Sequence, residues 1–136
     1  MKVLFVCVGN IARSQFAEAF YNGMCDGVGV AESAGTKAYR AGQRLGDYEY
    51  HTIRCMKERR YDLSNRASKQ LTPEMIGWAD KVIVMAERET WPSFLEESDK
   101  VEFWDVKNPN IEIYETHVIA RNRIFGLVKS LLKKEE

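Results

Sequence analysis

Lys2-Val3-Leu4-Phe5-Val6-Cys7-Val8-Gly9-Asn10-Ile11-Ala12-Arg13-Ser14 is an apolar, β-branched run that breaks at Gly-Asn and meets an Arg-Ser pair opening a helical pattern. A nearly continuous apolar strand suits burial on both faces, the habit of a parallel sheet covered by helices. The helical pattern over residues 14–26 places Phe16, Phe20 and Met24 on one stripe, with Ala17, Tyr21 and Cys25 beside it. Strand, tight loop and helix therefore follow one another within about two dozen residues, the first half of a βαβ unit.

Each position of the loop suits one chemistry. Gly9 and Asn10 belong to the residue types that tolerate left-handed backbone. That geometry lets successive N–H groups of Val8, Gly9, Asn10, Ile11 and Ala12 face one tetrahedral oxyanion, with a helix N-terminus adding its positive end. Arg13 offers a planar fork for two phosphoryl oxygens. Cys7 lies at the foot of that positive nest, where an anionic thiolate is favoured. Ser14 is placed to donate a hydrogen bond to the sulfur as it leaves a covalent intermediate. The plain alternative is that Cys7 is a buried residue ending a strand, since free cysteine is among the most buried residue types. Gly-Asn, Arg, Ser and a helix start, all in register, favour the phosphate cradle.

Further strand-like runs cover residues 28–33, 81–85 and 101–106. Helical patterns cover 48–60, a stretch capped by Thr72-Pro73-Glu74 and running through Trp78, 87–98 with an interruption at Pro92, and about 114–133. The order predicts a three-layer α/β fold with a four-stranded parallel sheet flanked by helices, one domain over residues 1–136. In such sheets ligands sit beyond the carboxyl ends of the strands, which again points to Cys7.

Composition excludes more than it selects. Twenty basic and twenty acidic residues cancel, which argues against nucleic-acid or membrane binding by bulk charge. The 45% apolar and 29% charged residues are ordinary for a globular chain. The apolar start ends at Gly9-Asn10 without a small-residue cleavage pattern, so it reads as a strand and not as a signal peptide. Three cysteines (Cys7, Cys25 and Cys55) and two histidines (His51 and His117) give no C-x-x-C pair and no metal-ligand spacing. We expect no cofactor and a reducing cytoplasmic setting.

The stretch Val6 to Ser14 resembles the active-site loop of the low-molecular-weight protein tyrosine phosphatases. Ser33-Ala34-Gly35-Thr36, Asp62-Leu63-Ser64, Lys69-Gln70-Leu71-Thr72 and Ala79 to Met85 are similar to further parts of that family. The resemblance implies flavodoxin-like winding. It also implies hydrolysis of a phosphotyrosine peptide or small aryl phosphate through a cysteinyl-phosphate, with inorganic phosphate or other oxyanions as ligands.

The same resemblance implies an Asp before a Pro, after the fourth strand, as general acid. Here the stretch reads Trp104-Asp105-Val106-Lys107-Asn108-Pro109, so an amide stands in that place. Asp105 serves as the acid from a rearranged loop, or it bonds its own loop backbone. Otherwise the enzyme works slowly without an acid, or the protein binds phosphorylated partners with little turnover. Tyr39 reads either as an aromatic wall of the cleft, alongside Asn108, or as an exposed loop residue. Ala12 occupies the place of a second loop cysteine in many family members, and Arg66 that of a histidine supporting the loop asparagine in some. Arsenate reductases share the fold, but a relay within one chain needs thiols that Cys25 and Cys55 do not offer, leaving only reduction with an external thiol.

Overall fold

Alternate residues of β1 (Lys2–Cys7) enter opposite apolar layers: Val3, Phe5 and Cys7 on one side, Leu4 and Val6 on the other. This two-residue period with both faces buried is what the continuous apolar run demanded. In the computed structural model, which describes residues 1–135, β1 lies between β2 (Val30–Gly35) and β3 (Lys81–Val84), and β4 (Val101–Phe103) pairs outside β3. All pairings are parallel, in the order β2-β1-β3-β4. The chain winds to one side of β1 for β2 and to the other for β3, so the crevice of this switch point opens at the end of β1.

Helix α1 (Arg13–Met24) and α5 (Tyr114–Glu135) cover one face. Phe20 of α1 meets Phe125 of α5 edge to face at 5.1 Å, and Phe5 sits 5.7 Å from Trp104. Full burial of a side chain of this size contributes about 1.5–3 kcal/mol. Helix α3 (Pro73–Trp78) and α4 (Ser93–Glu96) cover the other face through Ile76 and Leu95. Helix α2 (Tyr50–Lys57) packs along α5. Thr72 caps α3 as expected, its hydroxyl accepting from the Met75 amide with Pro73 at the first helical position.

Several boundaries differ from the sequence expectation. Asp26 and Gly27 take positive φ, which ends α1 at Met24 and delays β2 to Val30. Arg60, also at positive φ, closes the turn after α2, and the predicted first residues Tyr48 and Glu49 lie outside that helix, between it and a 3₁₀ turn over Leu45–Asp47. The stretch 87–98 is not one helix. Pro92 has no N–H to donate, and a 3₁₀ turn over Arg88–Thr90 precedes it while α4 follows. β4 stops at Phe103 because the Val106 amide turns back to the Trp104 carbonyl at 3.0 Å. No helix among the described residues is long and apolar enough to cross a membrane.

Candidate active site

Cys7 is the last residue of β1, and residues 8–12 form the loop that leads into α1. Asn10 holds φ of 58°, the left-handed conformation that Gly-Asn suggested. Gly35, at the end of β2, is required by space: a Cβ there would lie 2.4 Å from the Val8 carbonyl oxygen and 3.0 Å from the Asn10 nitrogen. The outer rim of the loop is pinned by the Thr36 amide to the Cys7 carbonyl (2.8 Å) and the Lys37 amide to the Val8 carbonyl (2.9 Å). Among the described residues, no protein acceptor takes the backbone N–H groups of residues 8–12. Such donors at a helix N-terminus suit an anion.

Beneath the loop lies a buried polar floor. The Asn10 side-chain amide donates to the Ser14 hydroxyl at 2.7 Å and to the Ser33 hydroxyl at 3.0 Å. Its oxygen accepts from the Lys69 amide at 2.8 Å and from the Gln15 side chain at 3.2 Å. Ser33 in turn donates to Glu18 at 2.7 Å. Ser14 Oγ lies 2.9 Å from Cys7 Sγ. Ser14 accepts from Asn10, and its hydroxyl is placed to donate to the sulfur when that carries charge. A hydroxyl so placed stabilises sulfur as it leaves a covalent intermediate. Asn10, Ser14 and Ser33 are fully buried, so each bond in this chain carries the cost of its own desolvation if broken.

Arg13 is 1% exposed, and its guanidinium is held from three directions. Nη1 donates to the Met85 carbonyl at 2.6 Å and to the Val106 carbonyl at 2.8 Å. The Glu87 carboxylate meets the terminal pair, Oε1 at 3.0 Å from Nη2 and Oε2 at 3.4 Å from Nη1. Nε is buried without a partner. The edge formed by Nε and the second Nη2 proton is therefore the free one, and it matches two oxygens of a tetrahedral oxyanion. The ends of β3 and β4 thus fix the arginine that α1 presents.

Around the mouth, Tyr39 is 66% exposed and brings its ring edge to the loop, Cε1 lying 3.2 Å from where a Gly9 Cβ would stand, beside Ile11. Asp105 is exposed between buried Trp104 and Val106, and its carbonyl accepts from Arg123 Nε at 2.8 Å. Its carboxylate shares no hydrogen bond with Cys7, Arg13, Asn10 or Ser14 among the described residues. Asn108 is exposed and lines a groove of about 600 Å³ between residues 106–110 and α5, with Ile113, Ile119 and Arg123.

Sequence reasoning missed Glu87, Ser33 and Glu18, whose partners lie far along the chain. Arg66, for which the sequence left open a bond towards Asn10 or a solvated surface position, pairs with Glu18 and connects to Asn10 through Glu18 and Ser33. Cys25 and Cys55 are buried and free; their sulfurs bond local carbonyls, and burial pushes the Cys55 thiol up to about 12. Neither has the character of a nucleophile.

Residues 2–133 match the model of the family described as low molecular weight phosphotyrosine protein phosphatase. A low molecular weight protein-tyrosine-phosphatase homologue of Synechocystis is 37% identical over 90 residues, 62% of this chain and 55% of the relative. The protein-arginine-phosphatase of Bacillus subtilis is 33% identical over 88 residues, again 62% of this chain and 55% of the relative. These matched stretches span about half the length of the curated relatives. The structure of Vibrio vulnificus Wzb in complex with benzylphosphonate superposes with a TM-score of 0.86 at 26% identity, covering 98% of this chain and 97% of that one.

Proposed function

Since the chain belongs to the low molecular weight phosphotyrosine protein phosphatase family, we propose that it hydrolyses phosphomonoesters through a phosphocysteine at Cys7. Residues 1–136 act as one phosphatase domain in a reducing cytoplasm, where Cys7 stays free. The observation that carries this reading is the pairing of Ser14 with Cys7 at 2.9 Å beneath unpartnered loop amides and the free edge of Arg13.

In the first step the Cys7 thiolate attacks phosphorus in line with the leaving oxygen. Amides of Val8, Gly9, Asn10, Ile11 and Ala12 and the Arg13 fork hold the equatorial oxygens, whose charge a loose transition state spreads. In the second step water attacks the phosphocysteine, and Ser14 stabilises the departing thiolate. Tyr39 borders the bound group, for which a phosphotyrosine side chain or a small aryl phosphate is the fitting shape. Inorganic phosphate occupies the same cradle as product.

Asn108 stands where an acid is expected, and Asp105 lies off the hydrogen-bond network, so turnover on ordinary esters is slow. General acid help is typically worth about 10²–10⁴ in rate. Steady-state hydrolysis of p-nitrophenyl phosphate by wild type, Cys7→Ser, Asp105→Asn and Asn108→Asp tests the assignment. Weak activity abolished by Cys7→Ser is expected. Phosphate binding with background turnover in wild type would instead favour a binding module. Loss of the acidic limb of the pH–rate profile on Asp105→Asn would identify that residue as the donor.

A further inference from the structure

Displacement at phosphorus leaves an anion behind, and the need for a proton on it rises with its basicity. A phenolate has a conjugate acid near pKa 10, a carboxylate one near about 4. The groups around Arg13 are short of protons to give. Both oxygens of Glu87 face the buried guanidinium, and an ion-paired carboxylate is an acceptor only. Asp105 is exposed between two buried neighbours, in a segment anchored through its carbonyl by Arg123, and its carboxylate shares no hydrogen bond with the cradle among the described residues. Asn108 is an amide. The hydroxyls of Thr36 and Thr90 are committed, Thr36 to Thr90 at 2.9 Å and Thr90 to the Glu87 carbonyl at 2.7 Å. Tyr39 offers the loop its ring edge. Among the described residues, groups for attack and for charge surround the cradle, while no acid with a proton to give is hydrogen-bonded to it.

We infer that this site is matched to acyl phosphates, the mixed anhydrides of phosphate with a carboxylic acid, in preference to phosphotyrosine. The inference rests on the phosphocysteine reading above. In the first step the Cys7 electron pair forms the S–P bond as the bond between phosphorus and the bridging oxygen breaks. The electron pair leaves on a carboxylate that departs without a proton. Water then forms a new O–P bond, the S–P bond returns its pair to sulfur, and the water proton goes out with the phosphate. The apolar rim of Ile11 and the Tyr39 ring edge suits an aromatic or aliphatic acyl group better than a charged one.

Benzoyl phosphate and a graded series of aryl phosphates, with uncatalysed breakdown subtracted, test this in wild type and Asn108→Asp. The kcat/KM for benzoyl phosphate should exceed that for phenyl phosphate by about 10²-fold or more, with a steep fall along the series as leaving-group basicity rises. Asn108→Asp should raise the phenyl phosphate value about 10²-fold, the scale of general acid catalysis, and narrow the ratio of benzoyl to phenyl phosphate by a similar factor. Similar values for both substrates in wild type, or an equal rise of both in the variant, would overturn the preference. Acid-quenched samples assayed for phosphocysteine separate the two levels of failure. Phosphocysteine formed from both substrates at equal efficiency defeats only the acyl phosphate inference. Its absence with both defeats the parent reading.

Discussion

Ser14 shows how one side chain sets the state of another. Its hydroxyl accepts from Asn10 and lies 2.9 Å from the Cys7 sulfur, so Ser14→Ala removes the donor available to the leaving thiolate. Because that thiolate leaves in the second step, phosphocysteine should accumulate in Ser14→Ala and steady-state kcat should fall about 10–10²-fold, as expected for loss of one such donor. Rapid-quench measurement of phosphocysteine checks it. Arg13→Lys is not conservative here: a point charge cannot bridge the Met85 and Val106 carbonyls and also present a two-pronged edge. We expect kcat to drop about 10³-fold, with phosphate inhibition lost in the same assay. At this scale Cys7, Asn10, Arg13 and Ser14 were legible because their spacing lies within one loop. Glu87 and Ser33 were not, since they come to the loop from 74 and 23 residues away in the chain, respectively, and no local pattern announces that meeting.

At the scale of elements, the loop depends on what packs behind it. Gly35 ends β2 against the Val8 carbonyl, and the central segment joins it there through the Gly35 amide to the Lys69 carbonyl (2.9 Å). Gly35→Ala forces a Cβ into 2.4 Å of space. Backbone shifts of that kind cost about 1–3 kcal/mol. A lowered urea midpoint together with weaker phosphate binding is the expected result, and unchanged phosphate binding would mean that the loop adapts. Local patterns found every strand and the cap of α3, because β1 and β3 are buried on both faces and Thr-Pro chemistry is written locally. They failed over 87–98 and at the end of β4. There tertiary partners add to the local breaks at Pro92 and at the Val106–Trp104 turn: the Glu87 carboxylate turns to Arg13, and the Val106 carbonyl is claimed by the same side chain.

Over the whole molecule, α5 lies across α1 and α2, and that contact holds both histidines. The rings of His117 and His51 are 5.2 Å apart, and the buried His117 Nδ1 faces the Ile113 carbonyl at 3.2 Å. Burial first, and then the neighbouring His51, hold His117 below its ordinary value, with the Ile113 contact opposing. The folded state therefore binds this proton less readily than the unfolded chain. Its stability contribution is complete above about pH 6.5 and declines as pH falls below that value. Urea midpoints at pH 8 and pH 5.5 should show the decline, and His117→Gln should flatten it. The variant comparison is needed because Glu49, pushed up by burial, shifts stability in the opposite sense. Zero net charge is compatible with an anion site, because the positive field here comes from one loop, one helix end and one buried arginine.

The central claim is that Cys7 carries the phosphoryl group. Mass analysis of acid-quenched protein after brief exposure to p-nitrophenyl phosphate tests it most directly. A phosphate adduct on the peptide holding Cys7, absent in Cys7→Ala along with all turnover, is the predicted result. Hydrolysis that survives in Cys7→Ala, or turnover with no adduct at any quench time, would contradict it.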